Sequence, residues 1–274
     1  MSYLDQLFGV AGKTALVTGG ATGIGRMIAE ALVQAGARVL IASRKGEACA
    51  KVAAEFNARG GAGSAEGFAG DIANESGIAA LAAAVAERCD QLHILVNNAG
   101  KVWMGDLNSF PYAAWDSVLA VNLFGPFHLT QRLLPLIEKA ARAEDPARII
   151  NVGSVAGLVT AGEGVYSYSA SKAAIHHMSR VLASELAPRH ITVNALAPGP
   201  FVSRMMAPIT ATEDDRARLA RSVPIGRIGS PEDIAGAVLF LCGRSGAYVT
   251  GAVLPIDGGL SVKAPPNMLQ EGDS

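Results

Sequence analysis

A glycine-rich turn between an apolar run and a helical pattern constrains the fold of this chain more than any other feature. Residues 13–18 read KTALVT, the chain turns through GGATGIG at residues 19–25, and apolar residues then recur at helical spacing. Glycine lets a backbone approach a pyrophosphate, and a helix N-terminus offers unpaired N–H donors. Many such turns only connect a strand to a helix, so the turn alone is weak evidence. The candidate cofactor contacts in it are Gly19, Thr22, Gly23, Ile24 and Gly25.

Six further short apolar runs follow the first one, and helical patterns lie between most of them. The run at residues 92–96, LHILV, is almost uninterrupted, as expected of a central parallel strand that is buried on both faces. This alternation predicts an α/β fold: a single Rossmann-like, doubly wound domain with a parallel sheet of about seven strands and helices on both faces. The domain is expected to span residues 1–264, with a flexible tail at 265–274.

The composition narrows the classes of function. Hydrophobic residues make up 50% of the 274 residues and charged residues only 17%, so the chain can bury a large core and a subunit interface. A net charge of −1 does not favour binding to nucleic acid or an anionic membrane. No apolar run reaches about 18 residues, and no secretory signal opens the chain, so we expect a cytoplasmic protein. Three scattered cysteines form neither a disulfide framework nor a metal site.

The stretch YSASK at residues 168–172 places a tyrosine and a lysine four residues apart on one helix face. An ammonium beside a phenol favours phenolate, so Lys172 is expected to lower the pKa of Tyr168 toward working pH. An isolated pair of this kind is more often a surface tyrosine above a lysine. Tyr166 is a poorer candidate, because six residues separate it from Lys172. His176 and His177 are expected to be surface or interface residues.

Polar residues also follow two of the apolar runs. Asn97-Asn98-Ala99-Gly100 comes after residues 92–96, and Ser154 follows residues 148–153. Ligands of doubly wound sheets bind outside the carboxyl ends of the strands, so these side chains are candidates for a site. Asn122 lies in a predicted helix at about residues 112–141, a poor position for asparagine on propensity alone. We interpret it as a group that holds a water leading protons to the lysine.

The end of the second apolar run bears on cofactor choice. Ser43-Arg44-Lys45 follows residues 37–42, and the first acidic residue is Glu47. An acid at this position holds a ribose 2′-hydroxyl, whereas an arginine can bind a 2′-phosphate through two parallel hydrogen bonds. The residues therefore favour NADP(H) over NAD(H). The alternative is a solvated Arg–Lys pair that opens the next helix.

Together, TGGATGIG, NNAG, Asn122, Ser154, YSASK and the turn Pro198-Gly199 resemble the short-chain dehydrogenase/reductase family over about residues 8–260. Within that family, the chain resembles bacterial 3-oxoacyl thioester reductases of the rhamnolipid-biosynthesis type. This finer resemblance is carried by GSVAG, by SRM after the Pro-Gly turn, and by AYVTGAVLPIDGG.

The resemblance implies a reaction and a role for each matching residue. A ketone would be reduced with NADPH while Tyr168 supplies the proton, Ser154 bonds the carbonyl oxygen, Lys172 holds the nicotinamide ribose and Asn122 anchors a relay water. Asp71 would accept a hydrogen bond from the adenine. The alternative is that it merely caps the helix that begins near Asn74, and both roles could hold together. The remaining cofactor contacts that the resemblance implies are Ile72, Asn98, Ala99, Gly100, Tyr168, Lys172, Pro198, Gly199 and Ser203.

The substrate is left open by the sequence. An apolar lid is predicted at about residues 200–225, which favours a 3-oxoacyl thioester on a carrier protein or coenzyme A, or a small ketone. One alternative is an NAD(P)-dependent dehydrogenase of a sugar, polyol or small alcohol, which a polar lid would favour. A second is a non-catalytic NADP(H)-binding protein on the same fold. The resemblance also implies a homotetramer.

Overall fold

The computed structural model describes residues 2–160, 162–202 and 211–263. Seven parallel strands form one sheet in the order β3-β2-β1-β4-β5-β6-β7. The predicted doubly wound α/β fold is confirmed. The strands are β1 (Thr14–Thr18), β2 (Arg38–Ser43), β3 (Ser64–Ala69), β4 (Ile94–Asn97), β5 (Ala147–Val152), β6 (Ile191–Pro198) and β7 (Val253–Ile256).

The helices of the described ranges cover both faces of the sheet. One apolar core lies between the sheet and helices α2, α3 and α9, and a second lies between the sheet and α4, α6 and α7. The helices are α1 (Tyr3–Phe8), α2 (Gly23–Gln34), α3 (Gly46–Ala58), α4 (Glu75–Ala86), α5 (Tyr112–Leu119), α6 (Gly125–Ala140), α7 (Tyr166–Leu186), α8 (Glu213–Ser222) and α9 (Pro231–Cys242).

The continuous apolar runs follow from this two-sided burial. Successive side chains of a strand point to opposite faces. In β4, Ile94 and Val96 join the core under α2 and α9, whereas Leu95 joins the core under α6 and α7. All three are fully buried. A central strand of this sheet therefore has no polar face, and its sequence shows no alternation.

The long helix predicted at residues 112–141 is two helices. A π-helical turn at Ala120–Phe124 separates α5 from α6, and Asn122 lies within that turn. Pro126 is the second residue of α6, and because it has no N–H it cannot bond back to the π-helical turn that precedes it. Pro135 lies inside α6, which runs on past it. The π-helical turn therefore lies just before Pro126, and it directs the Asn122 side chain toward α7.

The strand order also locates the crevice of the sheet. The chain builds β2 and β3 on one side of β1, then crosses to build β4 to β7 on the other side. In folds of this kind, ligands bind where the strand order reverses, outside the carboxyl ends of the strands. The carboxyl ends of β1 and β4 are neighbours here, since Val17 pairs with Val96. The glycine turn and the NNAG segment therefore meet.

Candidate active site

The glycine turn forms a cradle that side chains would fill. Gly19 has a φ of +67°, which glycine adopts without strain. A Cβ on Gly25 would overlap the Asn98 side-chain amide and would lie 2.5 Å from the Gly19 carbonyl oxygen. Thr22 is the N-cap of α2, and its side chain makes no capping hydrogen bond. The first N–H groups of α2 are thus left for an anion, and the cradle fits a pyrophosphate.

Two side chains tie this cradle to the end of β4. The Thr18 hydroxyl accepts hydrogen bonds from the N–H groups of Asn98 (3.0 Å) and Ala99 (3.1 Å). The Asn98 side-chain amide donates to the carbonyl oxygens of Thr18 (2.8 Å) and Gly19 (3.3 Å). Asn98 and Ala99 were predicted site residues, but Thr18 was missed. The available signal was a hydroxyl at the last position of a strand, directly before the glycine turn.

The end of β2 presents a cation. Arg44 is exposed, and its guanidinium makes no hydrogen bond or ion pair with any residue that the structure describes. The Ser43 hydroxyl, by contrast, accepts from the Lys45 N–H (3.2 Å) and lies 3.0 Å from the Cys49 sulfur. The predicted contact at Ser43 therefore has local partners, whereas Arg44 is available to a phosphate.

Asp71 does not cap the following helix. The N-cap of α4 is Asn74, whose side-chain oxygen accepts from the Gly77 N–H at 2.9 Å. Asp71 Oδ1 accepts instead from the Ala73 N–H at 3.0 Å, within the loop after β3. The alternative that Asp71 caps α4 is therefore wrong, because the side chain that accepts from a free N–H in the first turn of α4 is that of Asn74. Ile72 is buried against the core under α4 and α6.

A buried lysine and a half-buried tyrosine face the end of β5. Lys172 is 5% exposed, and its Nζ donates to the Val152 carbonyl oxygen at 2.8 Å. The same Nζ lies 5.6 Å from the centroid of the Tyr168 ring. Burial lowers the pKa of Lys172 to about 8. The pair predicted from the spacing is therefore together in space, on the inner face of α7 rather than on the surface.

The pKa of Tyr168 moves opposite to the prediction. Burial raises it, and a hydrogen bond with Ser154 lowers it by less. Phenolate loses its water when the ring is buried, and the Lys172 ammonium is directed to the Val152 carbonyl, so the desolvation effect wins. Tyr168 and Ser154 nevertheless lie side by side, and their roles toward a substrate oxygen stay a prediction. Ser154 also begins a short turn by accepting from the Ala156 N–H at 3.2 Å.

Asn122 connects the loop after β4 to α7. Its Oδ1 accepts from the Lys101 N–H (2.8 Å), and its Nδ2 donates to the Lys101 carbonyl (2.9 Å) and to the Ser171 hydroxyl (2.9 Å). Ser171 in turn donates to the Tyr168 carbonyl at 2.7 Å. The Asn122 side chain is thus occupied by protein groups and braces the segment that carries Tyr168. Its role with a relay water stays a prediction.

The other predicted contacts border this cluster or lie outside the described residues. A Cβ on Gly100 would stand 3.7 Å from both Lys172 Nζ and Asn122 Oδ1. Pro198 is the last residue of β6, and the Gly199 N–H donates to the Ile256 carbonyl at 2.9 Å. Ser203 belongs to the residues that the structure does not describe. No cluster of three or more His, Cys, Asp or Glu within the described ranges could hold a metal ion.

A glycine cradle beside a Tyr–Ser–Lys cluster is the site of a dinucleotide-dependent oxidoreductase. Residues 19–261 match the family model described as "Enoyl-(Acyl carrier protein) reductase". The chain is 47% identical over 256 residues to the rhamnolipids biosynthesis 3-oxoacyl-[acyl-carrier-protein] reductase of Pseudomonas aeruginosa, covering 93% of this chain and 99% of that relative. The chain belongs to the short-chain dehydrogenase/reductase family, as its motifs predict.

Two further comparisons agree. The chain is 38% identical over 249 residues to the 3-oxoacyl-[acyl-carrier-protein] reductase FabG of Aquifex aeolicus, covering 91% of this chain and 97% of that relative. The solved Pseudomonas aeruginosa RhlG/NADP active-site complex matches with a TM-score of 0.89 at 47% identity, covering 94% of this chain and 99% of that chain. In the part of this chain that the structure describes, no helix is both long and apolar enough to span a membrane.

Proposed function

We propose that this protein is an NADPH-dependent reductase that converts a 3-oxoacyl thioester to the 3-hydroxyacyl form, with Tyr168 as the general acid. The observation that carries the proposal is the cluster of Tyr168, Ser154 and Lys172 at the end of β5. There, the Ser154 hydroxyl lies close enough to the Tyr168 phenol to lower its pKa, and the Lys172 Nζ lies 5.6 Å from the centroid of the Tyr168 ring. A ketone oxygen placed beside these two hydroxyls would meet both a proton donor and a hydrogen-bond donor.

The residues present fit NADP(H). The glycine cradle and the first turn of α2 would hold the pyrophosphate, and Asp71 and Ile72 would border the adenine. Arg44 would bind the 2′-phosphate, because its guanidinium is exposed and has no partner among the described residues. Pseudomonas aeruginosa RhlG, which was solved with NADP, is 47% identical to this chain over nearly the whole length of both. When bound, NADPH supplies a hydride.

Three side chains of the site govern the proton transfer. Burial keeps the pKa of Tyr168 above its ordinary value, so the phenol carries a proton at neutral pH and can donate it to the developing alkoxide. Lys172 has a pKa of about 8, so it is mostly charged at pH 7 and would stabilise the phenolate that remains. Ser154 holds the reacting oxygen. General acid catalysis of this kind contributes roughly 10²–10⁴-fold to the rate.

Apolar walls support an acyl substrate. The loops that follow β4, β5 and β6 lie at the carboxyl edge of the sheet, next to the catalytic cluster. These loops expose large apolar side chains, as expected of a site that receives an acyl chain. The exposed residues are Trp103, Met104, Leu107, Leu158, Val159 and Val202. Both named relatives are 3-oxoacyl-[acyl-carrier-protein] reductases.

One observation favours a second candidate, a dehydrogenase of a sugar, polyol or small alcohol. Helix α8 belongs to the predicted lid, and it reads EDDRARLARS with no buried residue. A charged lid suits a polar substrate better than an acyl chain. Much of the rest of the lid, residues 203–210, is outside the described residues, so α8 is the part on which this alternative rests.

The test is the steady-state rate of NADPH oxidation with a medium-chain 3-oxoacyl-coenzyme A, with NADH run in parallel. Rapid turnover with NADPH and much slower turnover with NADH would support both the substrate class and the role of Arg44. Turnover only of polyols or small alcohols with NADP⁺ would overturn the thioester proposal in favour of the second candidate. Protein that binds NADPH but turns over no substrate of either panel would overturn both reactions.

We further propose that the protein is a cytoplasmic homotetramer. Its three cysteines are free thiols, which is typical of a reducing compartment. Exposed apolar side chains on the π-helical turn, α6 and α7 offer surface for a subunit interface. These residues are Phe124, Phe127 and Val181. Light scattering would give four times the mass of the 274-residue chain, and a monomer mass would contradict the proposal.

A further inference from the structure

A buried histidine lies directly behind the active-site serine. His176 is one helical turn beyond Lys172 on α7, and only 3% of it is exposed. The prediction that it is a surface or interface residue is wrong, whereas His177 is exposed. Its ring nitrogen Nε2 faces the backbone N–H of Ser154 at 3.4 Å. His176 is not among the residues to which a role in the reaction has been assigned.

The Ser154 N–H needs this partner because the sheet stops supplying acceptors at that point. Strand β5 ends at Val152, and the Gly153 N–H makes a bond to the Leu196 carbonyl of β6 at 2.7 Å. The Ser154 N–H comes next and is buried, with His176 Nε2 as its partner. A buried N–H without an acceptor is strongly disfavoured, so the ring determines how the chain leaves the strand.

The hydrogen bond also defines the state of the ring. An N–H donor requires a lone pair on Nε2, so we assign the neutral tautomer with its proton on Nδ1. Burial, with Lys172 and Arg180 nearby, lowers the pKa of His176 to about 4 and keeps the ring neutral at working pH. The Gly157 backbone lies near enough to raise that pKa slightly. No partner of Nδ1 meets hydrogen-bond geometry among the described residues.

The space for the ring depends on a glycine. A Cβ on Gly153 would overlap His176 Nε2 and lie 2.5 Å from Cδ2. Gly153 and His176 are therefore a matched pair: the missing side chain lets the imidazole reach the serine backbone. His176 lies four residues beyond Lys172 and eight beyond Tyr168, on one face of α7. The three side chains lie along one segment: Lys172 contacts the Val152 carbonyl, His176 contacts the Ser154 N–H, and Tyr168 lies beside the Ser154 hydroxyl.

We propose that His176 is a positioning residue, which holds the Ser154 backbone through Nε2 so that the Ser154 hydroxyl meets Tyr168 and the substrate oxygen. It touches neither of the reacting groups, and it acts through Ser154 alone. The inference uses the proposed thioester reduction as its assay. An NMR measurement of the imidazole tests it without any substrate.

The first test compares His176→Leu with His176→Gln. Leucine removes the acceptor, whereas the glutamine Oε1 can occupy the position of Nε2 and accept from the Ser154 N–H. We expect kcat to fall at least tenfold in the leucine variant, with the NADPH dissociation constant unchanged, and to recover substantially in the glutamine variant. A leucine variant with the wild-type kcat would overturn the proposal. If the leucine variant fails to fold, His176→Asn replaces it, because its shorter amide cannot reach the N–H.

A double-mutant cycle separates positioning from a merely structural role. If His176 acts through Ser154, the double variant Ser154→Ala with His176→Leu should be about as slow as Ser154→Ala alone. Losses that multiply would show that His176 affects the rate by another route, and would overturn the proposal. The same cycle with Asn122→Ala in place of Ser154→Ala is the control, and there the losses should multiply.

The substrate-free measurement is long-range ¹H–¹⁵N NMR of the imidazoles at pH 7, with the His176 signal assigned by its absence in His176→Gln. We expect a protonated Nδ1 and a bare Nε2, together with a shifted Ser154 amide signal in His176→Leu. A protonated Nε2 would overturn the inference even if the enzyme reduces thioesters. The expected tautomer in a protein that reduces no thioester would overturn the proposed substrate and leave the positioning geometry standing.

Discussion

Replacing Thr18 with valine removes three hydrogen bonds where β1 meets β4, while the side chain keeps its shape. The hydroxyl accepts from the Asn98 and Ala99 N–H groups and donates to the Val96 carbonyl at 3.3 Å. A buried donor left without an acceptor costs about 1–3 kcal/mol. Asn98 and Ala99 are half-buried, so water would offset part of the loss. We expect the free energy of unfolding to fall by roughly 2 kcal/mol, about 30-fold in the folding equilibrium.

The assay is guanidinium denaturation at fixed protein concentration, with NADPH affinity measured alongside. Thr192→Val is the matched control, because Thr192 is also buried in a strand and its hydroxyl has no hydrogen-bond partner among the described residues. That variant should lie within about 0.5 kcal/mol of wild type. NADPH should bind more weakly only to Thr18→Val, since Ala99 packs against Gly19 of the cradle. Equal stability and equal NADPH affinity of the two variants would refute the reasoning.

Three further substitutions test the cofactor site and the buried lysine. Arg44→Glu should reduce the preference for NADPH over NADH by roughly 10–100-fold, because a charge-assisted phosphate contact is lost. Lys51→Glu makes the same charge change at an exposed site on α3 and should leave the preference unchanged. The ratio of kcat/KM for the two cofactors measures the preference. Gly25→Ala should weaken NADPH binding at least tenfold in titration calorimetry, because its Cβ overlaps Asn98. Gly236→Ala is the control, since Gly236 lies on α9 with open space around it. That variant should bind NADPH normally and be slightly more stable. Lys172 has a folded pKa of about 8, below that of an unfolded lysine, so the unfolded chain binds more protons above pH 8. The stability of the wild type should therefore rise from pH 8 to 9.5 by up to about 2 kcal/mol relative to Lys172→Met in denaturation curves, and parallel curves for the two proteins would contradict a buried lysine.

Local sequence patterns predicted the strands and the glycine turn of this protein well. The strand–turn–helix unit at Gly19–Gly25 and the all-apolar β4 follow from glycine chemistry and from burial on both faces, which depend on neighbouring residues in the chain. The residue that caps the N-terminus of α4 was harder to predict. Asp71 and Asn74 are both good caps, and the choice of Asn74 depends on where α4 begins, which is decided by packing.

Tertiary packing explains what the sequence did not reveal. The spacing of Tyr168 and Lys172 places a cation near a phenol, but the direction of the Tyr168 pKa is decided by burial, which no spacing shows. His176 resembles any polar residue of a helix, and its burial depends on the missing side chain of Gly153 and on the end of β5. The break before Pro126 is a π-helical turn, a form without a simple sequence signature.

The most direct test of the central claim is the rate of 3-oxoacyl-coenzyme A reduction by Tyr168→Phe with saturating NADPH. The phenyl ring keeps the packing of Tyr168 and removes only its hydroxyl group, so NADPH should bind as tightly as to wild type. The rate should fall by about 10²–10⁴-fold, the range expected for loss of a general acid. A variant that binds NADPH normally and reduces the thioester within a few-fold of the wild-type rate would show that another group supplies the proton.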